Sequence, residues 1–102
     1  MVKKKRYEVV WSDMAKQELK DVHSYIKRQS EPAAKQVKNK ILSSTKVLET
    51  GKEIYKADTL KVNNDGTYRA YIVYSYRIVY RITSSQIMIL RIRHTSREPL
   101  EY

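Results

Sequence analysis

The chain has 102 residues, enough for one domain around a single hydrophobic core. It contains no cysteine, which excludes a disulfide scaffold, a cysteine-ligated metal site and a cysteine nucleophile, and its apolar runs are far too short to span a membrane. Twenty-one Lys and Arg residues against eleven Asp and Glu leave a net charge of +10, which implies an acidic partner, nucleic acid being the commonest.

From the start, Met1-Val2-Lys3-Lys4-Lys5-Arg6 runs into apolar sequence without a signal-peptide pattern, so a soluble cytoplasmic protein is expected. The basic arm from Lys3 to Arg6 reads either as a phosphate contact or as a solubilising terminus. Tyr7-Glu8-Val9-Val10-Trp11 has the composition of a first strand. Ser12-Asp13 has the form of a helix start, with a capping hydroxyl and an acid facing the positive end of the dipole. Ala15, Leu19, Val22 and Ile26 then recur at helical spacing, while Lys16, Lys20, Lys27 and Arg28 fall outside that stripe. Ser30-Glu31-Pro32 ends this helix and opens a second, whose apolar side is Ala34, Val37, Ile41, Ser44 or Thr45, and Leu48. Thr50-Gly51 closes it, the glycine supplying a left-handed cap. Two amphipathic helices joined by so short a break predict an antiparallel hairpin that covers an apolar surface.

That surface belongs to the C-terminal half. Residues 52–62 carry no clear pattern, and a short extended piece is expected at Thr59–Val62. Asn63-Asn64-Asp65-Gly66 is a strong turn signal. Three β-rich runs follow, 67–74, 76–82 and 86–93, with breaks too short for anything but antiparallel neighbours. In the second run Ile78, Tyr80 and Ile82 point one way and Arg77, Val79 and Arg81 the other; in the third, Met88, Leu90 and Ile92 oppose Ile87, Ile89, Arg91 and Arg93. The expected architecture is a single α+β domain over residues 1–102, in the order β-α-α-β-β-β.

The densest chemistry lies in the last third. Arg77, Arg81, Arg91, Arg93 and Arg97 offer planar forks suited to phosphate, with Lys61 and Arg69 as further cations. His94 can exchange a proton near neutral pH, and Tyr102 can donate one or stack on a base. The plainer alternative is a solvated arginine-rich sheet face with His94 in a strand-end turn. Tyr68, Tyr71, Tyr74, Tyr76 and Tyr80 form either a base-stacking platform or, more commonly, cross-strand packing. His23, with no second ligand at metal spacing, reads as a half-exposed structural residue. No metal site or cofactor is indicated, and phosphate-loop and dinucleotide glycine motifs do not occur.

Taken in order, Trp11-Ser12-Asp13-x-Ala15, Leu19, Asp21-x-x-x-Tyr25-Ile26, Tyr76-Arg77-Ile78-Val79-Tyr80-Arg81-Ile82 and Ile89-Leu90-Arg91-Ile92-Arg93-His94-Thr95-Ser96-Arg97-Glu98-Pro99 resemble the RelE/ParE superfamily of bacterial type II toxins. The resemblance spans nearly the whole chain and implies a small basic toxin neutralised by an acidic antitoxin. It also implies one of two targets. RelE-like members cut mRNA on the ribosome without a metal; ParE-like members poison DNA gyrase by protein–protein contact. On the RelE-like pattern Arg77 and Arg97 would stabilise phosphate charge, His94 would act as base or acid and Tyr102 as stacker or acid. Lys61, Arg69, Arg81, Arg91 and Arg93 would hold the RNA backbone. The paired lysines that the RelE pattern carries on the strand before Arg77 are replaced by Tyr68 and Ala70, and the long helix hairpin with Asp21, Tyr25 and Ile26 is ParE-like. Cleavage of mRNA is the leading expectation and gyrase poisoning the alternative. Because Arg77 alternates away from the apolar face, its removal is expected to leave the fold intact.

Overall fold

A computed structural model describes residues 6–51 and 55–97. Strand β1 (Glu8–Trp11) leads into helix α1 (Asp13–Lys27), then helix α2 (Glu31–Val47) with a 3₁₀ turn at Leu48–Thr50. Strands β2 (Tyr68–Val73), β3 (Tyr76–Ile82) and β4 (Gln86–His94) follow, and a second 3₁₀ turn covers Thr95–Arg97. The expected α+β order is present.

Both helix starts form as the capping residues dictate. Ser12 Oγ accepts from the Ala15 amide at 3.0 Å, and Ser30 Oγ accepts from the Ala33 amide at 3.2 Å. Gly51 ends the hairpin at φ 67°, the left-handed conformation that a residue without Cβ adopts without strain. Ala15, Leu19 and Val22 of α1 and Ile41 of α2 are buried, and Leu48 extends the stripe. Of the two candidates at one position, Thr45 is buried, while the Ser44 hydroxyl lies 2.9 Å from Tyr71 Oη.

The sheet order is β1-β4-β3-β2. The last three strands form the expected antiparallel meander, and β1 joins its β4 side in parallel, so the sheet is mixed. The helix-facing side carries Tyr71 and Val73 from β2, Tyr76, Ile78 and Tyr80 from β3, and Ile87, Ile89 and Ile92 from β4. The alternation expected for the third run therefore fails in one place. Val79 pairs with Arg91 and Tyr80 with Ile89, leaving Leu90 opposite no residue of β3. This one-residue bulge switches parity, so Ile87, Ile89 and Ile92 all face the core. A short extended contact exists in the unpatterned stretch, but it is Ala57 bridging to Arg69; Thr59–Val62, expected to be extended, turns instead.

Three of the nine tyrosines are core. Tyr71 stacks on Tyr55 at 4.3 Å between ring centroids and meets Tyr80 edge-on at 6.0 Å. Burial pushes the Tyr71 phenol up to about 12, and Tyr80 Oη accepts the Tyr55 amide at 3.0 Å. Tyr71, Tyr76 and Tyr80 are buried, so the packing alternative holds for these three. His23 is half-buried, as expected of a structural residue.

Ser12 does more than cap. Its hydroxyl donates to the Leu90 carbonyl at 2.9 Å and its amide to the Ile89 carbonyl at 2.9 Å, fastening the start of α1 to the bulge. Ser12→Ala therefore loses a cap and a tertiary hydrogen bond, about 2 kcal/mol, whereas Ser30→Ala loses only a cap, about 1 kcal/mol. Urea midpoints of the two variants, compared at equal slope, check the difference.

Candidate functional site

No acidic residue stands in β2, β3 or β4, yet Arg69, Arg77, Arg81, Arg91 and Arg93 do. How each guanidinium is satisfied decides what the sheet can bind. Arg77 lies on the face away from the helices, and its Nη2 is paired with Asp58 Oδ1. That carboxylate is fully buried, and the Arg77 side chain is only 16% exposed. Asp58 is held by the loop itself. Its Oδ1 accepts the Leu60 amide at 3.0 Å, its own amide donates to the Tyr68 carbonyl at 2.8 Å, and its carbonyl accepts Asn64 Nδ2 at 3.1 Å. Asn64 fixes the turn from the other side, accepting the Gly66 amide at 2.8 Å and donating to the Tyr68 carbonyl at 2.8 Å.

Arg93 sits directly opposite Arg77, and its Nε is buried without a hydrogen-bond partner among the described residues. Arg81 donates to Thr67 Oγ1 at 3.2 Å and lies 3.8 Å from Asp65. Hydrogen bonds from the Thr67 hydroxyl and amide, with Arg81 nearby, hold the Asp65 carboxyl below its ordinary value. The Tyr68 ring has the Arg81 guanidinium and the Lys61 ammonium each 4.8 Å from its centroid. Arg69 points to the opposite face and pins the loop, donating to the carbonyls of Gly66 at 3.1 Å and Tyr55 at 2.7 Å. Arg91 forks onto Glu18 of α1 with two contacts of 3.1 Å. The same Glu18 accepts the Ile92 amide at 2.9 Å, just past the end of β1, whose pairing with β4 stops at Ile89.

His94 pairs with Tyr76 and therefore projects on the helix side of the sheet, the face opposite to Arg77. Its ring meets Tyr76 edge-on at 5.3 Å. Nδ1 accepts the Ser96 amide at 3.0 Å and lies 2.7 Å from Ser96 Oγ, so the neutral ring presents an N–H donor at Nε2. There it borders a cleft of about 520 Å³ shared with Asp21, Tyr25 and Arg28. Arg97 ends the turn after β4, and Tyr102, Glu98, Pro99 and the lysines of the N-terminal arm lie outside the described residues. Among the residues proposed for RNA chemistry, the fold brings Arg77 and Arg93 together and keeps His94 apart from them. No cluster of three or more metal-binding side chains occurs among the described residues, and no described helix is long and apolar enough to cross a membrane.

Sequence reasoning missed Asp58 and Glu18. Asp58 lies in the stretch without periodicity, and nothing local marks a carboxylate that will be buried. The excess of arginine over acid in the strands was the one available signal, since buried charges need partners.

The family model described as ParE toxin of type II toxin–antitoxin system, parDE, matches residues 9–99. Among solved structures, the fold is similar to a protein of the chromosomal ParDE toxin–antitoxin system from P. aeruginosa, with a TM-score of 0.72 and 17% identity over 87% of this chain and 96% of that one. The YoeB dimer from Staphylococcus aureus gives a TM-score of 0.48 and 21% identity, covering 87% and 97%. No curated protein sequence matches.

The buried pair overturns the expectation that Arg77 is dispensable to the fold. Removing either partner strands a charge, so Arg77→Ala and Asp58→Ala should each destabilise by about 3 kcal/mol. The double variant Arg77→Ala/Asp58→Ala should lose much less than the sum. A double-mutant cycle in urea measures the coupling.

Proposed function

Because the chain belongs to the ParE toxin family, it is a toxin of a type II toxin–antitoxin system, and we propose that it acts on DNA gyrase by protein–protein contact. The observation that carries this reading is the Arg77–Asp58 pair. A phosphate-stabilising arginine must offer an uncompensated fork to the developing charge. Here the guanidinium is mostly buried and already neutralised by a carboxylate that the loop holds in place. Placement of His94 on the other face supports the same reading, since a proton donor or acceptor must lie within hydrogen-bond reach of the atoms it serves. The partner of such a toxin is a cognate antitoxin, and the net charge of +10 favours an acidic one.

Messenger RNA cleavage on the ribosome is the competing reading, and the sheet's arginine content is the observation in its favour. The two separate in one experiment. Induction of the chain should arrest growth, leave transcripts whole in primer extension, and give gyrase-linked DNA breaks with a DNA-damage response. Ribosome-dependent cuts within codons, lost in Arg97→Ala, would instead establish the nuclease. Arg77→Ala is unsuitable for this purpose because it also breaks a buried ion pair.

A further inference from the structure

His94 is the last residue of β4, and the chain passes from it directly into the 3₁₀ turn Thr95–Arg97. It therefore stands at the capping position of that turn. Its Nδ1 accepts the Ser96 amide at 3.0 Å and lies 2.7 Å from Ser96 Oγ. Serine, threonine, asparagine and aspartate are the usual residues at such a place, because their oxygens accept the orphan amide throughout the neutral range. The caps of α1 and α2, Ser12 and Ser30, are of this kind. An imidazole accepts there only while Nδ1 is bare. Once the ring is protonated both nitrogens are donors, and no rotation of it restores an acceptor.

Outside the turn's own ladder, little else secures it. The Thr95 amide donates to the Ser75 carbonyl at 2.8 Å, which carries the pairing of β3 with β4 to the first residue of the turn. Ser96 beyond it is exposed. The groups that face the ring do not fix its charge. Glu18, Asp21, Tyr25 and Arg28 of α1 share its cleft, and Tyr76 of β3 meets it edge-on. Glu18 is engaged by Arg91 and the Ile92 amide, and Asp21 Oδ1 accepts Gln17 Nε2 at 3.0 Å. Asp21 favours the imidazolium and Arg28 disfavours it, so the α1 wall carries both signs. The cap is what distinguishes the two charge states.

We propose that His94 is a pH-sensitive cap, which holds the turn Thr95–Arg97 when neutral and releases Ser96 and Arg97 when protonated. The sign follows from the acceptor: order in the turn is present above the pH at which the ring titrates and is lost as pH falls through it. Imidazoles change charge between about pH 5 and 8, so a modest acidification suffices. β4 stays paired, because the Thr95 bond to Ser75 does not involve the ring. The inference concerns how the turn is held and does not depend on the target of the toxin.

The test is ¹⁵N relaxation of the full chain from about pH 8 to about pH 5, with the His94 ring protons reporting its charge. As the ring gains its proton, the order parameters of Ser96 and Arg97 should fall from about 0.85 toward about 0.6, while Thr95 keeps its value. His94→Asn places an oxygen acceptor at the cap and should keep the turn ordered across the whole range. His94→Phe should leave it loose across the whole range. Asp21→Asn removes the acid facing the ring and should preserve the response. Three results would each overturn the idea: a Ser96 amide that stays rigid while the ring titrates, His94→Asn loosening with the same midpoint, or loss of the response in Asp21→Asn. Simultaneous loss of order along β4 would overturn it as well, since release would then be global unfolding.

Discussion

Five arginines on three adjacent strands that hold no acid must be satisfied from outside the sheet, and much of the fold follows from how this is done. The largest demand is at Arg77 and Arg93, which face each other across β3 and β4. Like charges in directly opposed positions repel, and burial would sharpen the repulsion. The segment between α2 and β2 supplies the remedy by burying Asp58 against Arg77. The loop packs down on this pair and on Tyr55, which stacks on Tyr71. Asn64 adds to its order, its amide tying the turn to the carbonyls of Asp58 and Tyr68.

A second constraint operates at the opposite edge. β1 pairs with β4 only as far as Ile89, so the rest of β4 would present bare amides to solvent. The first turns of α1 take over where the strand stops. Ser12 engages the carbonyls of Ile89 and Leu90, and one helical stretch later Glu18 accepts the Ile92 amide while clamping Arg91. The bulge at Leu90 belongs to the same arrangement. By changing parity it returns Ile92 to the core while leaving Arg91 where Glu18 can reach it. A charge-assisted fork and a backbone amide on one carboxylate make α1 an extension of the sheet edge as well as its cover.

What the sequence made legible is what repeats. The helical stripes from Ala15 to Ile26 and from Ala34 to Leu48, the serine cap at position 12, the left-handed glycine at position 51 and the alternation along β3 are local patterns, and each is realised. The parity of β4 was not legible, because a single inserted residue reverses it and Ile87 through Ile92 is apolar on both sides until Arg91. Nor was the fate of the arginines. Alternation correctly put Arg77 opposite the helices, but the inference from outward to dispensable fails, since a side chain can leave the apolar face and still be buried by a loop. Asp58, the residue that decides the matter, lies where periodicity is silent. His94 shows the related limit: adjacency in sequence to Arg93 places it on the other side of the sheet.

Compensation within the sheet also changes where the net charge of +10 acts. Asp58 and Glu18 consume one arginine charge each, and Asp65 lies beside a third. With Glu18 spent on Arg91, α1 keeps two acids for its three lysines, whereas α2 sets four lysines against one. α2 is therefore a second basic surface, apart from the arginine-rich face that composition alone singles out. Exposed lysines on a helix keep their water and their mobility, so they steer an encounter without fixing a geometry. Geometry has to come from something rigid. β2, the edge strand of the sheet, runs beside α2 across the groove that Lys40 lines.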